Sequence, residues 1–329
     1  MKTITLCDLN TLICRNNLCK NLRCYFWQQG FIEVETPILI QTNTPDPNID
    51  PIIATTKSTT YQMHTSPEVW MKKALGLGAK KIFQLSHAFR DDPLGPIHSP
   101  EFSMLEWYRV GADLSDLLTD CQEIFDQAQL AVCDTLGINV EKPQFIYYEL
   151  DELFAKQANI DLPQVLSATL NGNEYCLSNL LRDRGDHFPA DAGFEEAFFH
   201  VMLKYIEPNL PKNKVSVLKK WPIQLAALSA GDPLDERYCQ RFEIYFGGIE
   251  IANAYQECHD PQVLTDRFKA ENLRRKTMGK ALFSLDYELV SALEKLPRTA
   301  GVALGIDRLL LSMSGKDHLS EIILGYQKQ

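Results

Sequence analysis

The chain has 329 residues, 45% of them hydrophobic, and a formal net charge of −10. That length can bury a substantial core in one large domain or two smaller ones, and the acidic balance excludes a broad nucleic-acid-binding surface, which needs clustered Lys and Arg. Nine cysteines without a CxxC pair fit buried thiols in a reducing cytosol, and the absence of a signal-like or membrane-spanning apolar run adds the expectation of a cytoplasmic protein.

Leu9 to Gln29 carries Leu18, Leu22, Tyr25 and Phe26 at helical spacing, with Gly30 placed to end the helix. FIEVETPIL, residues 31–39, reads as a strand that Pro37 confines to an edge or an interface. Asn, Asp, Thr and Pro make Gln41 to Pro51 a loop, and Tyr61 to His64 is a short strand. Ser66, Pro67 and Glu68 then open a helix as N-cap, first residue and first-turn acid, and Gly76 closes it. Ile82 to Arg90 alternates, with Phe83, Leu85 and Phe89 facing one way and Gln84, Ser86, Ala88 and Arg90 the other. A connection from Asp91 to Pro100 leads to a second strand, Glu101 to Tyr108. Phe102, Met104, Glu106 and Tyr108 share one of its faces, and an aromatic ring, a carboxylate and a phenol in one row suit a ligand site better than a core.

Asp113 to Leu136 is an amphipathic helix. Pro143 to Asp235 is mixed and mostly helical, with Ala192 to Ile206 the clearest helix and a strand within Val215 to Leu228; no chemistry can be read there. Arg241 to Phe246 and Ile249 to Glu257 are strands joined by a tight turn at Gly247 and Gly248. Alternation puts Asn253, Tyr255 and Glu257 on one face and Glu250 on the other, so both glutamates serve one site only through an irregularity between Glu250 and Asn253. Asp260 and Pro261 start a helix through Lys276, whose Arg274, Arg275 and Lys276 complement the helix dipole. GVALGIDRLLLSMSG, Gly301 to Gly315, is a glycine-containing strand entering an apolar helix. Arg308 falls in its first turn, where free N–H groups and a guanidinium can together hold a phosphate.

FR with an acidic residue two positions on, followed by HSPEF and MLEWY, resembles motif 2 of the class II aminoacyl-tRNA synthetases in its lysyl-type form. The first helix and the strand ending in ETP resemble motif 1, about residues 9–40, and GVALGIDR resembles motif 3, about residues 301–315. Motif 2 covers about 82–108, and a mostly helical insertion about 113–235. The resemblance implies an α+β fold, an antiparallel sheet flanked by helices, forming a single catalytic domain over residues 1–329. It also implies a homodimer built on motif 1 and no anticodon-binding domain. By the same resemblance Arg90 holds the α-phosphate of ATP and Arg308 meets the γ-phosphate, and these two are the catalytic candidates. Ser66, Pro67, Glu68, Glu106, Tyr108, Asn253, Tyr255 and Glu257 are implied for the amino acid. Asp91, Asp92, His98, Ser99, Phe102, Glu250, Ile251 and Gly305 are implied, with both arginines, for ATP, and Glu250 and Glu257 for Mg²⁺. Two departures, Asp92 for the usual glutamate and Ser99 for the usual asparagine, shorten groups that meet ATP in the family.

The implied reaction is amino-acid activation, with the carboxylate attacking the α-phosphate in line and the protein supplying positioning and positive charge. Glu68, Glu106 and Glu257 put excess negative charge around a pocket, which calls for a long cationic amino acid. Glu106 beside Tyr108 is the candidate for its side-chain amine. The missing anticodon domain, the acidic balance and Ala303, where tRNA-charging relatives usually have glycine, resemble the elongation factor P (R)-β-lysine ligases. These are paralogues of lysyl-tRNA synthetases that attach β-lysine to a lysine of that factor. The expected partners are lysine or β-lysine, elongation factor P as protein acceptor in preference to tRNA, and a second copy of the chain, with no membrane. Two alternatives stay open: a minimal lysyl-tRNA synthetase charging tRNA, and a non-catalytic paralogue that binds lysine or ATP as a sensor.

Overall fold

Helix α1 (Leu9–Gln28) starts at Asp8, whose carboxylate accepts a hydrogen bond from the Thr11 amide. It ends just before Gly30, which takes a φ of 77°. Leu18, Leu22 and Phe26 are buried, and Phe26 stacks on Phe83 with ring centroids 4.7 Å apart. The computed structural model describes residues 7–189 and 192–326, among which no helix is long and apolar enough to cross a membrane.

Residues 31–39 do not form the single strand expected. Pro37, which cannot donate to a ladder, separates β1 (Ile32–Glu33) from β2 (Leu39–Ile40). β2 joins β3 (Ile53–Thr55) and β4 (Thr60–Met63) in a small sheet of order β2-β4-β3. Helix α2 (Glu68–Gly76) begins one residue later than the capping pattern suggests, with Pro67 as N-cap. β5 (Lys81–Phe89) and β6 (Glu101–Val110) then pair one-to-one and antiparallel, from Lys81 opposite Arg109 to Phe89 opposite Glu101. α3 (Leu114–Leu136) is fixed at its start by a reciprocal Asp113–Asp116 capping box and at its end by Gly137 in the left-handed conformation.

The chain divides into two compact units, residues up to Pro143 with those from Ile251, and Gln144–Glu250. α3 thus belongs with the first unit, and the intervening unit is smaller than the insertion read from the sequence. In this second unit β7 (Phe145–Glu149) leads into α4 (Leu150–Leu153), α5 (Leu162–Leu170), α6 (Cys176–Asp183) and α7 (Phe194–Val201). A π-helical turn carries α7 on to Ile206. β8 (Val215–Lys219), β9 (Trp221–Pro222), β10 (Tyr238–Cys239) and β11 (Arg241–Phe246) follow, with β8 parallel to β7 and antiparallel to β11. Phe154, Phe198 and Trp221 fill its core. Against that core Arg241 stacks over Trp221, 4.3 Å from the ring centroid, and pairs with the buried Glu243.

β12 (Ile249–Gln256) follows a turn in which Gly247 and Gly248 take φ of 66° and 83°, as a two-residue hairpin with the twist of the strands requires. α8 (Pro261–Thr277), α9 (Tyr287–Glu294), β13 (Thr299–Gly305) and α10 (Ile306–Ser314) complete the first unit. Its strands run in the order β1-β5-β6-β13-β12; only β1, parallel to β5, departs from the antiparallel arrangement expected. One face of this sheet carries the buried Phe83, Leu105, Trp107, Val302 and Leu304, with Leu85 half-buried beside them. Asp120 on α3 ties the layers together by accepting hydrogen bonds from Tyr25 at 2.5 Å, the Trp107 indole at 3.0 Å and Arg109 Nε at 2.7 Å.

Replacing Asp120 with Ala would leave a guanidinium and two further donors without their acceptor. We expect this variant to lose about 3 kcal/mol of unfolding free energy, measured as a lower urea midpoint with an unchanged slope, whereas Asp126→Ala on the same helix should shift the midpoint little.

Candidate functional site

Residues directly opposite one another on paired strands share a sheet face, so the registers define the floor of the site. One row runs Ile82, Tyr108, Gly301, Tyr255, and the next runs Gln84, Glu106, Ala303, Asn253. A third row brings Ser86, Met104 and Gly305 together. The face expected for Phe102, Met104, Glu106 and Tyr108 is therefore real, but it is drier than a solvent-lined groove. Glu106 is 1% exposed and Tyr108 3%.

A carboxylate buried to this degree needs donors. Ser66 Oγ donates to Glu106 Oε2 at 2.5 Å, and Tyr108 OH donates to Glu106 Oε1 at 2.6 Å. Ser66 Oγ also accepts from the Glu68 amide at 3.1 Å, so it starts α2 and anchors the pocket at once. Burial, with the Glu68 charge nearby, pushes Glu106 up to about 8, and the two hydroxyl donors oppose that rise.

Above this row lies a side chain that sequence reading passed over. Lys72 is fully buried; its Nζ lies 2.6 Å from Glu68 Oε1 and 2.5 Å from Glu257 Oε2. Burial alone would push the ammonium down, and Glu257 and Glu68 more than offset it, so the lysine stays charged. Glu257 is pushed up to about 7 by burial, against the pull of Lys72. The i, i+4 spacing of Glu68 and Lys72 was visible in the sequence, but such a pair usually lies in solvent. Gln84 was missed for a similar reason. It reads as one polar residue of an alternating strand, yet its Oε1 is buried beside Glu106 with no hydrogen-bond partner in the protein.

The nucleotide-side candidates gather around the β5–β6 connection. Arg90 follows the end of β5, its amide held by the Pro100 carbonyl at 2.9 Å, and its guanidinium lies over the Phe102 ring, 5.1 Å from the centroid. Gly95 and His98 bond each other through their backbones, and Tyr326 OH donates to both carbonyls, at 2.7 and 2.8 Å. Asp91, Asp92 and Ser99 lie on this same connection. Arg308, in the first turn of α10 after the N-cap Gly305, donates from Nε to the Ile97 carbonyl at 3.3 Å. Arg90, Phe102 and Arg308 are thus all attached to one loop.

Two long-range anchors hold that loop. Arg15 on α1 is ion-paired with Asp307 and donates to Ser103 Oγ at 2.6 Å, while the Ser103 amide donates to Asp307 Oδ2, also at 2.6 Å. Arg275, read from the sequence as a dipole partner at the end of α8, is instead buried. It donates to the carbonyls of Asp46 at 2.6 Å and Ile49 at 3.1 Å and pairs with Asp50 at 2.8 Å. The Asp50 carbonyl in turn accepts from the Asp91 amide at 2.8 Å.

Glu250 and Ile251 stand at the junction of the two units. β12 starts at Ile249, and its one-to-one pairing with β13 spans Ala252 to Gln256, so Glu250 stands before that ladder begins. Glu250 lies in the second unit, where its charge helps raise Glu243, and Ile251 is buried. Glu257, the other carboxylate expected at Mg²⁺, is ion-paired with Lys72. Among the described residues no group of three or more His, Cys, Asp or Glu side chains could hold a metal.

Comparison with known proteins matches residues 8–326 to the family described as tRNA synthetases class II (D, K and N). The chain is 32% identical over 323 residues to the elongation factor P--(R)-beta-lysine ligase of Histophilus somni, covering 96% of this chain and 94% of that protein. It is 31% identical over 329 residues to the protein of the same name from Mannheimia succiniciproducens, with the same coverage. Against that of Vibrio cholerae it is 32% identical over 321 residues, covering 94% and 92%.

Gly301 is where the floor tolerates no side chain. A Cβ there would lie 2.2 and 2.4 Å from two atoms of the Tyr108 ring and 3.1 Å from Glu257 Oε1. Gly301→Ala is expected to destabilise the fold by about 2 kcal/mol through overpacking, read as a lower denaturant midpoint, and the same substitution should cost less when made in Tyr108→Ala, where the ring it would strike is gone.

Proposed function

Because the chain belongs to the class II tRNA synthetases (D, K and N), and within them to the elongation factor P (R)-β-lysine ligase family, we propose that it is an ATP-dependent, AMP-forming ligase. It activates lysine or (R)-β-lysine as the aminoacyl-adenylate and transfers it to a lysine side chain of elongation factor P. The observation that carries this reading is the Ser66–Glu106–Tyr108 cluster: a buried carboxylate with two donors, on a sheet face with Gln84 and Asn253, is built to receive an ammonium.

In this reading the amino-acid side chain lies along the row of Gln84, Glu106, Ala303 and Asn253, with its terminal ammonium at Glu106 and Tyr108. The methyl of Ala303, between Glu106 and Asn253, shortens the other end of the pocket, which suits an amine displaced from the α to the β carbon. Arg90 draws the substrate carboxylate and the α-phosphate together, and the carboxylate oxygen attacks phosphorus as pyrophosphate leaves in line. Arg308 offsets the charge on the departing phosphates. Phe102 offers its ring to the adenine. Any Mg²⁺ would arrive with ATP and be held largely by phosphate oxygens, as this ion commonly is. The ε-amine of the acceptor lysine then attacks the adenylate carbonyl, forming an amide and releasing AMP. The exposed side chains of Leu9, Ile13, Trp27, Ile32 and Leu39, within the motif 1 segment, support a homodimer formed there. A cytoplasmic location follows from the proposed acceptor.

The test is pyrophosphate exchange followed by transfer. Native protein is expected to exchange labelled pyrophosphate into ATP with (R)-β-lysine, and more weakly with lysine, and to add one such residue to elongation factor P by mass spectrometry. Charging of tRNA without modification of the factor would refute the acceptor; no exchange with either amino acid would refute the enzyme. The raised carboxylates add a pH dependence. Glu106 and Glu257 lose their charge as pH falls through about 8 and about 7, so the KM for the amino acid is expected to rise roughly tenfold from about pH 8 to about pH 6, with little change in the KM for ATP.

A further inference from the structure

We infer that Lys72 is an internal counter-ion that sets the charge of the amino-acid pocket, and so makes the site select a substrate with two ammonium groups. This rests on the function proposed above and extends it to a residue that no part of that mechanism uses. Three carboxylates, Glu68, Glu106 and Glu257, meet one protein cation there, with Lys72 Nζ hydrogen-bonded to Glu68 at 2.6 Å and ion-paired with Glu257 at 2.5 Å. With all three carboxylates ionised, above about pH 8, the formal charge left over is minus two. A diamino acid brings two ammonium groups to that remainder, while its carboxylate goes to Arg90, outside the cluster. An amino acid with an uncharged side chain would leave one buried carboxylate without a counter-charge, which is costly in a dry site.

The placement of Lys72 is as specific as its charge. It is fully buried, it comes from α2 while Glu257 comes from the end of β12, and its Nζ lies 5.6 Å from the centroid of the Tyr108 ring, the same tyrosine that donates to Glu106. The titratable groups that face it are Glu68 on its own helix, Glu106 and Tyr108 on β6, and Glu257 and His259 after β12. Lys72 also fixes Glu257 Oε2, which leaves Oε1 directed toward Gly301, beside the Tyr108 ring. Lys72 is therefore a positioning residue; it reaches the substrate through Glu257 and Glu68.

The experiment compares native protein with Lys72→Met in pyrophosphate exchange and, independently of turnover, in calorimetric binding of lysine and (R)-β-lysine. In the variant Glu68 and Glu257 repel each other; uptake of one proton would restore the formal tally, so the loss of affinity comes from carboxylates that Lys72 no longer holds in place. The KM and Kd for the diamino acids are expected to rise at least about tenfold near neutral pH, while the KM for ATP moves less than about threefold. The pH at which amino-acid affinity is lost should rise by about one unit, and added methylammonium should partly restore affinity in Lys72→Ala. If Lys72→Met fails to fold, Lys72→Met/Glu257→Gln removes the unpaired charge, and its amino-acid affinity should lose the step near pH 7 and keep only that of Glu106 near pH 8. Equal increases in both KM values with a lowered Tm, an unchanged pH profile, or no effect of methylammonium would overturn the inference. Native protein that neither binds nor activates a diamino acid would overturn it together with the proposed function, whereas failure in the variants alone leaves that function standing.

Discussion

The site depends first on the register of β6 between β5 and β13. Side chains on a strand alternate with a strict period of two, so a slip of one residue would exchange Glu106 with Trp107 and turn the indole from the core into the pocket. The pairing excludes this because the two faces have opposite needs. Trp107 and Leu105 are buried against the helical layer, and Trp107 has a single well-placed acceptor in Asp120. Glu106 is buried on the other side and needs the hydroxyls of Ser66 and Tyr108. The apolar face sets the register, and the polar face receives its geometry from it.

Preorganisation on the nucleotide side is achieved differently, through contacts far apart in the chain. Arg15 and Asp307 are 292 residues apart, and Arg275 and Asp50 are 225 apart, yet both pairs hold segments flanking the same connection between β5 and β6. The loop that bears the candidate phosphate ligands is therefore braced by α1 from one direction and by α8 from another. Such bracing costs chain entropy once, during folding, and leaves less to be lost when a ligand binds.

This contrast explains what could be read in advance. The alternation in Ile82–Arg90 and Glu101–Tyr108 was plain, because each residue in those strands obeys a local period, and Glu106 and Tyr108 do lie in adjacent rows of one face. The helix ends at Gly30, Asp113 and Asp260 were also local signals. Lys72, Gln84, Arg15 and Arg275 were not legible, because a lysine or arginine on a helix, or a glutamine on an alternating strand, looks the same whether it meets water or a buried partner. Only the distant partner distinguishes the two. Pro37 marks the opposite limit. Proline ended a strand where the composition favoured continuing it.

The hydrogen bonds from Tyr326 to the carbonyls of Gly95 and His98 bear on how this protein is handled in the laboratory. A residue three positions from the end of the sequence secures the turn beside Arg308 and Arg90, so an affinity tag or fusion partner appended there pulls directly on the nucleotide loop. Purification handles belong at the other end of the chain, separated by a flexible spacer from Asp8 and the start of α1.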